Sequence, residues 1–180
     1  VTPLAHARRR VAGRICAQTK LTHDITRLDV QLDKALAYAA GQFADISIEA
    51  LPGISRSYSF ATPAQPDGRA SFFVRKVPGG VFSTAVNEQD FVGQPMQVDG
   101  PSGNFWLRAS DAPMLLLAGG SGLAPILALL QDALAKGVTR SATLLFGART
   151  EADLYALDEI ESIARRWPGD SRDLPAPRAG

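Results

Sequence analysis

Residues 114–126 constrain the fold more than any other stretch, because an apolar run breaks into glycines and then resumes with helical spacing. Residues 114–118 have the length and continuous apolarity of a strand covered on both faces, as in a parallel sheet. Gly119, Gly120 and Gly122 permit a sharp turn and a close approach of a ligand to backbone amides. The helix that follows would present unpaired N–H groups and a partial positive charge. The stretch predicts an anion site or, more simply, an ordinary strand-to-helix turn.

The chain after this turn continues the same alternation of helix and strand. An amphipathic pattern predicts a helix over residues 123–136, and a second apolar strand is predicted over residues 143–147. A further helical pattern starts at Ala152, where Thr150 and Asp153 have the spacing of a capping box. This order, βαβα, is typical of the opening half of a doubly wound nucleotide-binding sheet.

The chain before the glycine turn favours β structure. Six segments have strand-like composition and are separated by turn signals: residues 10–19, 26–32, 42–49, 56–61, 71–77 and 96–98. Residues 26–32 alternate apolar and polar side chains, as in an antiparallel sheet with one solvated face. One helical interruption is predicted over residues 82–88. The spacing predicts a small antiparallel barrel or sandwich.

These patterns predict a β + α/β fold with a domain boundary near residues 109–113. The predicted units are a leader or linker (1–8), an antiparallel β domain (9–108), a doubly wound parallel α/β domain (112–168) and an irregular tail (169–180). Two parallel strands and two helices are too few to bury both faces of a sheet, so the second domain is expected to be truncated.

Composition excludes several classes of function. The net charge of +1 gives no reason to expect nucleic acid or an anionic membrane as a partner. The apolar runs are too short to cross a bilayer, and no export signal is recognisable, so a cytoplasmic location is expected.

Cys16 is the single cysteine, which excludes an internal disulfide and a cluster held only by cysteines of this chain. Cys16 is predicted to be a small core residue, and His6 and His23 are predicted to be surface or strand residues. No metal site is predicted.

Two segments of the β domain carry residues suited to binding. Arg56, Tyr58 and Ser59 lie on one predicted strand, where they could clamp a phosphate, pack on a flat ring and hydrogen-bond a ring heteroatom. Taken alone, these residues fit an exposed mixed strand better than a binding site. Residues 75–84 form a strand, a Gly-Gly turn and a helix start with hydroxyls, which is either an anion site or a capped surface helix. Residues 100–103 are predicted to be a turn.

Five motifs in this order resemble the ferredoxin-NADP reductase family: RSYS (56–59), VRKVPGGVFST (74–84), GPSGNF (100–105), LLLAGGSGLAP (115–125) and LLFGAR (144–149). Within that family, the chain is most similar to the flavin- and NADH-binding part of the reductases that serve bacterial aromatic-ring oxygenases. The resemblance extends over residues 9–167.

The resemblance implies an antiparallel barrel that holds FAD and an α/β domain that holds the nicotinamide nucleotide. Tyr58 and Ser59 would be the catalytic residues, with Tyr58 along the flavin and Ser59 near the N5 atom that accepts hydride, and Arg56 would pair with an FAD phosphate. The other implied FAD contacts are Arg75, Lys76, Val77, Gly79, Gly80, Val81, Ser83 and Thr84. The implied NAD(P)H contacts are Gly119, Gly120, Ser121, Gly122, Leu123, Gly147 and Arg149.

The implied function is an FAD-dependent oxidoreductase that takes hydride from NAD(P)H and passes electrons to a ferredoxin, a [2Fe-2S] domain or an oxygenase. NADH is favoured over NADPH because the acidic Glu151 and Asp153 follow Arg149. Members of the family end with further strands that carry a Cys-Gly-Pro-type loop, and the oxygenase reductases carry a [2Fe-2S] domain with four cysteines. Neither feature is found in the sequence, which predicts a truncated chain. Two alternatives therefore stay open: a flavin-binding remnant without NADH turnover, and an electron-transfer subunit with a different partner.

Overall fold

The structure is a computed structural model that describes residues 6–168. The predicted irregular tail, residues 169–180, and most of the predicted leader, residues 1–5, lie outside the described residues.

An antiparallel sheet of six strands forms the first unit. Its strands are β1 (Arg9–Lys20), β2 (Ile25–Leu32), β3 (Phe43–Ile48), β4 (Arg56–Ser59), β5 (Arg69–Arg75) and β6 (Pro95–Ser102), and helix α1 (Val81–Glu88) connects β5 to β6. The strand order is β4-β3-β6-β1-β2-β5. A bridge between Phe60 and Phe72, with the Ala61 N–H donating to the Ser71 carbonyl at 2.8 Å, joins the two outer strands. The sheet is therefore a nearly closed barrel, as the sequence predicts.

The alternating pattern explains the barrel core. In β2 the side chains of Leu28 and Val30 are fully buried, whereas Arg27 and Asp29 on the other face are half-buried and Gln31 is exposed. Phe60 stacks on Tyr38 with ring centroids 3.6 Å apart, and it also contacts Phe72. Twenty residues, contributed by the strands, the loops and α1, form this core.

Cys16 does not lie in the core, so its predicted position is wrong. A β-bulge between Ile15 and Ala17 shifts the pairing of β1 with β2. The Cys16 side chain lies at this bulge on the same face of β1 as the exposed Ala12 and Arg14, and its thiol donates to the Asp29 carbonyl at 3.2 Å. The predicted turn at residues 100–103 is also wrong for its first three residues, because β6 continues to Ser102 and the chain leaves the sheet at Gly103.

The second unit contains two parallel strands and two helices. It consists of β7 (Met114–Gly119), a 3-10 turn (Gly120–Gly122), α2 (Leu123–Ala135), β8 (Ala142–Gly147), a second 3-10 turn (Glu151–Asp153) and α3 (Leu157–Arg166). The two strands pair in register from Met114 with Ala142 to Gly119 with Gly147. The α/β layout is thus confirmed, and residues 103–113 connect it to the barrel without a helix or a strand.

Two details of this unit differ from prediction. Strand β7 is not covered on both faces: Leu116 is buried, but Leu115 and Leu117 are each 65% exposed, because the described sheet has two strands with helix packing on the Leu116 side. The last helix does not start at Ala152. The capping box of Thr150 and Asp153 is present, but it closes the short 3-10 turn, and α3 begins only at Leu157.

The apolar residues of α2 pack against the barrel as well as against their own sheet. Ile25, Ala40, Ala61 and Phe73 of the barrel belong to the same buried cluster as the buried residues of α2, β7 and β8. The two units therefore meet across a continuous apolar interface that positions the glycine turn against the barrel. No helix among residues 6–168 is long and apolar enough to cross a membrane.

Candidate functional site

A cleft of about 380 Å³ lies where the barrel meets the glycine turn. It is lined by β4, by β5 and the start of α1, and by the start of α2. The lining residues are Arg56, Ser57, Tyr58, Ser59, Phe73, Arg75, Val77, Gly80, Phe82, Ser83, Ser121, Gly122, Ala124 and Pro125. The cleft thus joins three motifs that lie far apart in the sequence.

Strand β4 supplies an exposed cation and a half-buried aromatic ring. Arg56 and Tyr58 are two residues apart, so they lie on the same face of the strand. The Arg56 guanidinium donates to the Ser55 carbonyl at 2.7 Å, and within residues 6–168 no carboxylate pairs with it. The Tyr58 ring lies 5.8 Å from the Phe82 ring of α1. The pair offers a positive charge next to a flat apolar surface.

Tyr58 stays protonated at neutral pH. Its burial raises the pKa of the phenol to about 12, although the Arg56 charge acts in the opposite direction. The hydroxyl therefore acts as a hydrogen-bond donor or acceptor and not as a phenolate base. Ser59, one residue on, is also half-buried in the cleft wall.

The turn before α1 is closely packed and leaves the helix start open. The Val77 N–H donates to the Ser83 hydroxyl at 3.2 Å, and that hydroxyl lies 3.3 Å from the Gly80 carbonyl. A Cβ at Gly80 would lie 2.5 Å from the Ser83 Oγ, so a side chain does not fit. No side chain caps α1. Its first N–H groups are therefore available to an anion in the cleft.

The alternative interpretation of α1 as a capped surface helix is wrong. Phe82 and Ser83 are 1% and 4% exposed, and the helix packs into the barrel core. Lys76 does not face the cleft; its ammonium pairs with Glu88 at the end of α1. Val81 is exposed at the start of the helix.

The Arg75 side chain of the barrel lies next to the glycine turn. Gly120 has a φ of +52°, and the position of a Cβ there is 3.0 Å from the Arg75 Nη1 atom. The Arg75 Nε donates to Asp24 at 3.0 Å. Burial raises the pKa of Asp24, but the hydrogen bonds from Arg75 and Thr22 outweigh it, and the pKa lies below its usual range. Arg75 thus joins the β1–β2 turn of the barrel to the glycine turn.

The remaining predicted site residues lie around the cleft but do not line it. Leu123 is fully buried and anchors the start of α2. Gly147 pairs with Gly119, so both glycines lie at the same edge of the two-stranded sheet. Arg149 is exposed beyond that edge. Four predicted residues, Lys76, Gly79, Val81 and Thr84, belong to the turn and helix next to the FAD side of the cleft.

Sequence reasoning missed six residues at the site. Ser57, Phe73, Phe82, Ala124 and Pro125 line the cleft. Tyr155 lies behind the glycine turn and donates to the Gly120 carbonyl at 2.7 Å. The sequence signal for the apolar and aromatic residues was membership of apolar patterns, which predicts burial and does not distinguish cleft residues from core residues. Ser57 belongs to the predicted strand of Arg56 and Tyr58, and no signal separated it from an ordinary exposed strand residue.

A cluster of His23, Asp24 and Asp153 lies beside the same junction, with potential ligand atoms within 4.8 Å of one another. His23 Nδ1 is 3.4 Å from Asp153. Asp24 accepts from Arg75, and Asp153 accepts from Thr150. These contacts engage both carboxylates, so the cluster is a contact between the two units.

The cleft fits the two cofactors implied by the motifs. An unpaired guanidinium, an aromatic surface and an uncapped helix start are suited to the phosphate and ring portions of FAD. On the opposite wall, a Cβ at Gly122 would meet nothing within 4 Å, so the backbone of the glycine turn is open to a second phosphate group.

The sequence matches two family models. Residues 12–106 match the model described as the oxidoreductase FAD-binding domain, and residues 116–178 match the oxidoreductase NAD-binding domain.

The matching curated proteins include components of aromatic oxygenase systems. The chain is 44% identical over 161 residues to the xylene/toluene monooxygenase electron transfer component XylA of Pseudomonas putida, with 89% of this chain and 46% of that protein covered. It is 37% identical over 166 residues to the ferredoxin--NAD(P)(+) reductase component of the naphthalene 1,2-dioxygenase/salicylate 5-hydroxylase systems of Ralstonia sp, covering 92% and 50%. The chain therefore spans about half the length of these relatives.

Solved structures show the same fold. The ferredoxin reductase in carbazole 1,9a-dioxygenase superposes with a TM-score of 0.81 at 30% identity, covering 88% of this chain and 48% of that one. The Amycolatopsis cytochrome P450 reductase GcoB superposes with a TM-score of 0.84 at 31% identity, covering 93% and 52%.

Proposed function

The chain belongs to the family of oxidoreductase FAD-binding domains, followed by an oxidoreductase NAD-binding domain, and on that premise we propose that it takes hydride from NAD(P)H and passes the electrons on. The proposed acceptor is a ferredoxin, a [2Fe-2S] domain or an oxygenase component. The observation that carries the proposal is the single cleft in which β4, the start of α1 and the glycine turn meet. We propose residues 9–108 as the FAD-binding domain and residues 112–168 as the NAD(P)-binding part.

The proposed roles on the FAD side follow from the side chains of the cleft. Arg56 binds a phosphate because its guanidinium faces solvent and has no carboxylate partner among residues 6–168. Tyr58 packs against the flavin ring, and Ser59 offers a hydroxyl to a ring heteroatom. The Gly79–Gly80 turn and the start of α1, with Val81, Ser83 and Thr84, bind the pyrophosphate through backbone N–H groups.

On the nucleotide side, the glycine turn is the proposed seat of the NAD(P)H pyrophosphate. Ser121 and Gly122 line the cleft, and Gly119, Gly120 and Leu123 hold the backbone in its turn. Gly147 and Arg149 follow β8 at the same sheet edge and are proposed to lie toward the adenosine. Bound FAD would supply the chemistry that accepts a two-electron hydride and releases single electrons, while the protein orients the two cofactors and excludes water.

Reconstitution with FAD tests the FAD half of the proposal. We expect the purified chain to bind FAD with a stoichiometry near one, measured from the visible absorbance of the bound flavin. Arg56→Ala should weaken FAD binding by about tenfold or more, since a charge-assisted hydrogen bond contributes about 1.5–3 kcal/mol. Arg9→Ala, at an exposed arginine of β1 that does not line the cleft, is the matched control. Failure of the wild-type chain to bind FAD would overturn the proposal.

We propose NADH as the preferred nucleotide, because Glu151 and Asp153 follow Arg149 and a 2′-phosphate would meet negative charge there. Comparison of NADH and NADPH dissociation constants tests this preference, and tighter binding of NADPH would contradict it.

We also propose a cytoplasmic location, because these nucleotides are available there. Fractionation of cells that express the chain would test this location.

The exposed apolar face of β7 favours a second candidate, a flavin-binding chain without NADH turnover of its own. Leu115 and Leu117 lie on a sheet face that no described residue covers. A two-stranded sheet that is open on this face would hold the nucleotide loosely and fail to place it against the flavin. FAD binding without reduction of ferricyanide by NADH would support this candidate over the first.

A further inference from the structure

The structure places a buried tyrosine directly behind the glycine turn. Tyr155 is 5% exposed and lies in the segment that separates the second 3-10 turn from α3. The next residue, Ala156, has a φ of +57°, which is uncommon for a residue with a side chain. This backbone break interrupts the predicted helix and directs the Tyr155 ring inward.

The Tyr155 hydroxyl holds one peptide group of the turn. It donates to the Gly120 carbonyl at 2.7 Å, and the same carbonyl accepts the Leu123 N–H. Burial raises the pKa of the phenol above its usual range, so the hydroxyl keeps its proton and remains a donor. The Gly120 carbonyl therefore has partners on the protein side of the turn.

The direction of this carbonyl fixes the direction of the next N–H. In a trans peptide, the carbonyl of one residue and the N–H of the following residue point in opposite directions. With the Gly120 carbonyl held toward Tyr155, the Ser121 N–H points the other way, and Ser121 lines the cleft. A carbonyl turned into the cleft would instead repel a phosphate.

The Tyr155 ring also joins the turn to the FAD side. It meets Phe73 of β5 edge-on at 5.7 Å between ring centroids, and Phe146 of β8 at 5.5 Å. Phe73 itself lines the cleft. The position of the glycine turn is therefore set against both the barrel and the two-stranded sheet.

We propose that Tyr155 is a positioning residue for nucleotide binding, which holds the Gly120–Ser121 peptide so that its N–H faces the phosphate. The proposal rests on the proposed function, because it assumes that the glycine turn binds NAD(P)H. In this proposal Tyr155 does not contact the nucleotide itself.

The test compares the full chain, loaded with FAD, with its Tyr155→Phe variant. NAD⁺ is titrated by calorimetry, and the dissociation constant should rise about 5- to 10-fold in the variant, as expected for loss of one hydrogen bond. The FAD content should stay that of the wild type. Hydrogen exchange of the peptide that covers residues 119–123 should become faster, because the turn loses its support.

Tyr38→Phe is the matched control. Tyr38 is equally buried, and its hydroxyl lies 3.1 and 3.0 Å from the carbonyl oxygens of Thr62 and Pro63 in the barrel. This variant should leave NAD⁺ affinity and the exchange of residues 119–123 unchanged.

The outcomes separate the two proposals. If the wild type binds NAD⁺ and Tyr155→Phe binds it equally well, the role of Tyr155 is wrong and the proposed function stands. If Tyr155→Phe weakens FAD and NAD⁺ binding together, the residue supports general stability only, and the positioning role is overturned. If the wild type does not bind NAD⁺, the proposed function fails first and the inference with it.

Discussion

The barrel and the α/β unit differ in the origin of their buried cores. The barrel fills its interior with its own strands and α1, and Leu28 and Phe72 there are fully buried. The α/β unit leaves Leu115 and Leu117 exposed and packs α2 partly against Phe73 of the barrel. The glycine turn therefore depends on the barrel for its position, whereas the barrel wall of the cleft is supported by the barrel's own core.

Matched leucine truncations on strands should show the largest difference between the two units. Leu28→Ala removes a fully buried side chain from the barrel and should lower the free energy of unfolding by about 2–5 kcal/mol. Leu117→Ala, on the exposed face of β7, should change it by less than about 0.5 kcal/mol. Urea unfolding followed by circular dichroism measures both. A cost at Leu117 that approaches the cost at Leu28 would show that the open face is covered in solution.

Replacement of two glycines of the turn by alanine should have different effects on stability. Gly120→Ala forces a side chain to a φ of +52° against Arg75, and it should cost about 1–2 kcal/mol of stability. Gly122 has a φ of −65° and open space at the Cβ position. Gly122→Ala should be neutral or stabilise by up to about 1 kcal/mol. Urea unfolding measures the stability of both variants. Equal losses of stability would contradict the described conformation of the turn.

The ion pair of Asp24 with Arg75 should make the smallest of these contributions to the free energy of unfolding, and this contribution should depend on pH. Asp24→Asn should cost about 0.5–1 kcal/mol at neutral pH, the range of a partly exposed ion pair. The folded-state pKa of Asp24 lies below the unfolded-state value of about 3.9. The ionised carboxylate therefore stabilises the folded protein fully at pH values above the unfolded-state pKa. The difference between wild type and variant should shrink as the pH falls through the folded-state pKa.

Urea midpoints measured between neutral and acidic pH test this prediction. Asp132→Asn serves as the control, because Asp132 pairs with Lys136 along the surface of α2, away from the junction. A difference for Asp24→Asn that grows with acidification would reverse the sign and contradict the assignment.

Local patterns in the sequence predict most of the barrel and the position of the glycine turn. The alternation in β2 arises from burial of one face of a single strand, and the glycine turn is marked by its own glycines, so a short window of sequence contains each signal. The prediction that Cys16 is a core residue rested on its small apolar side chain and was wrong, because in β1 the residue lies on the same face as the exposed Ala12 and Arg14.

The rest of the site depends on contacts between distant segments. Leu117 has the composition of a buried strand residue, and its exposure follows from the number of strands in the sheet and not from its own neighbours in sequence. The side chain of Arg75 reaches Asp24 and lies next to Gly120, whereas the motif implied only a contact with FAD. Tyr155 reaches the site because the chain breaks at Ala156 before α3 begins. The apolar residues between positions 152 and 163 have helical spacing throughout, so the sequence does not predict this break.

Anaerobic mixing of the FAD-loaded chain with NADH tests the central claim most directly, since it requires both walls of the cleft at once. The account predicts that the visible absorbance of the flavin bleaches on mixing and returns when ferricyanide is added. A chain that binds FAD and NADH but keeps its oxidised flavin spectrum would contradict the claim that this cleft transfers hydride.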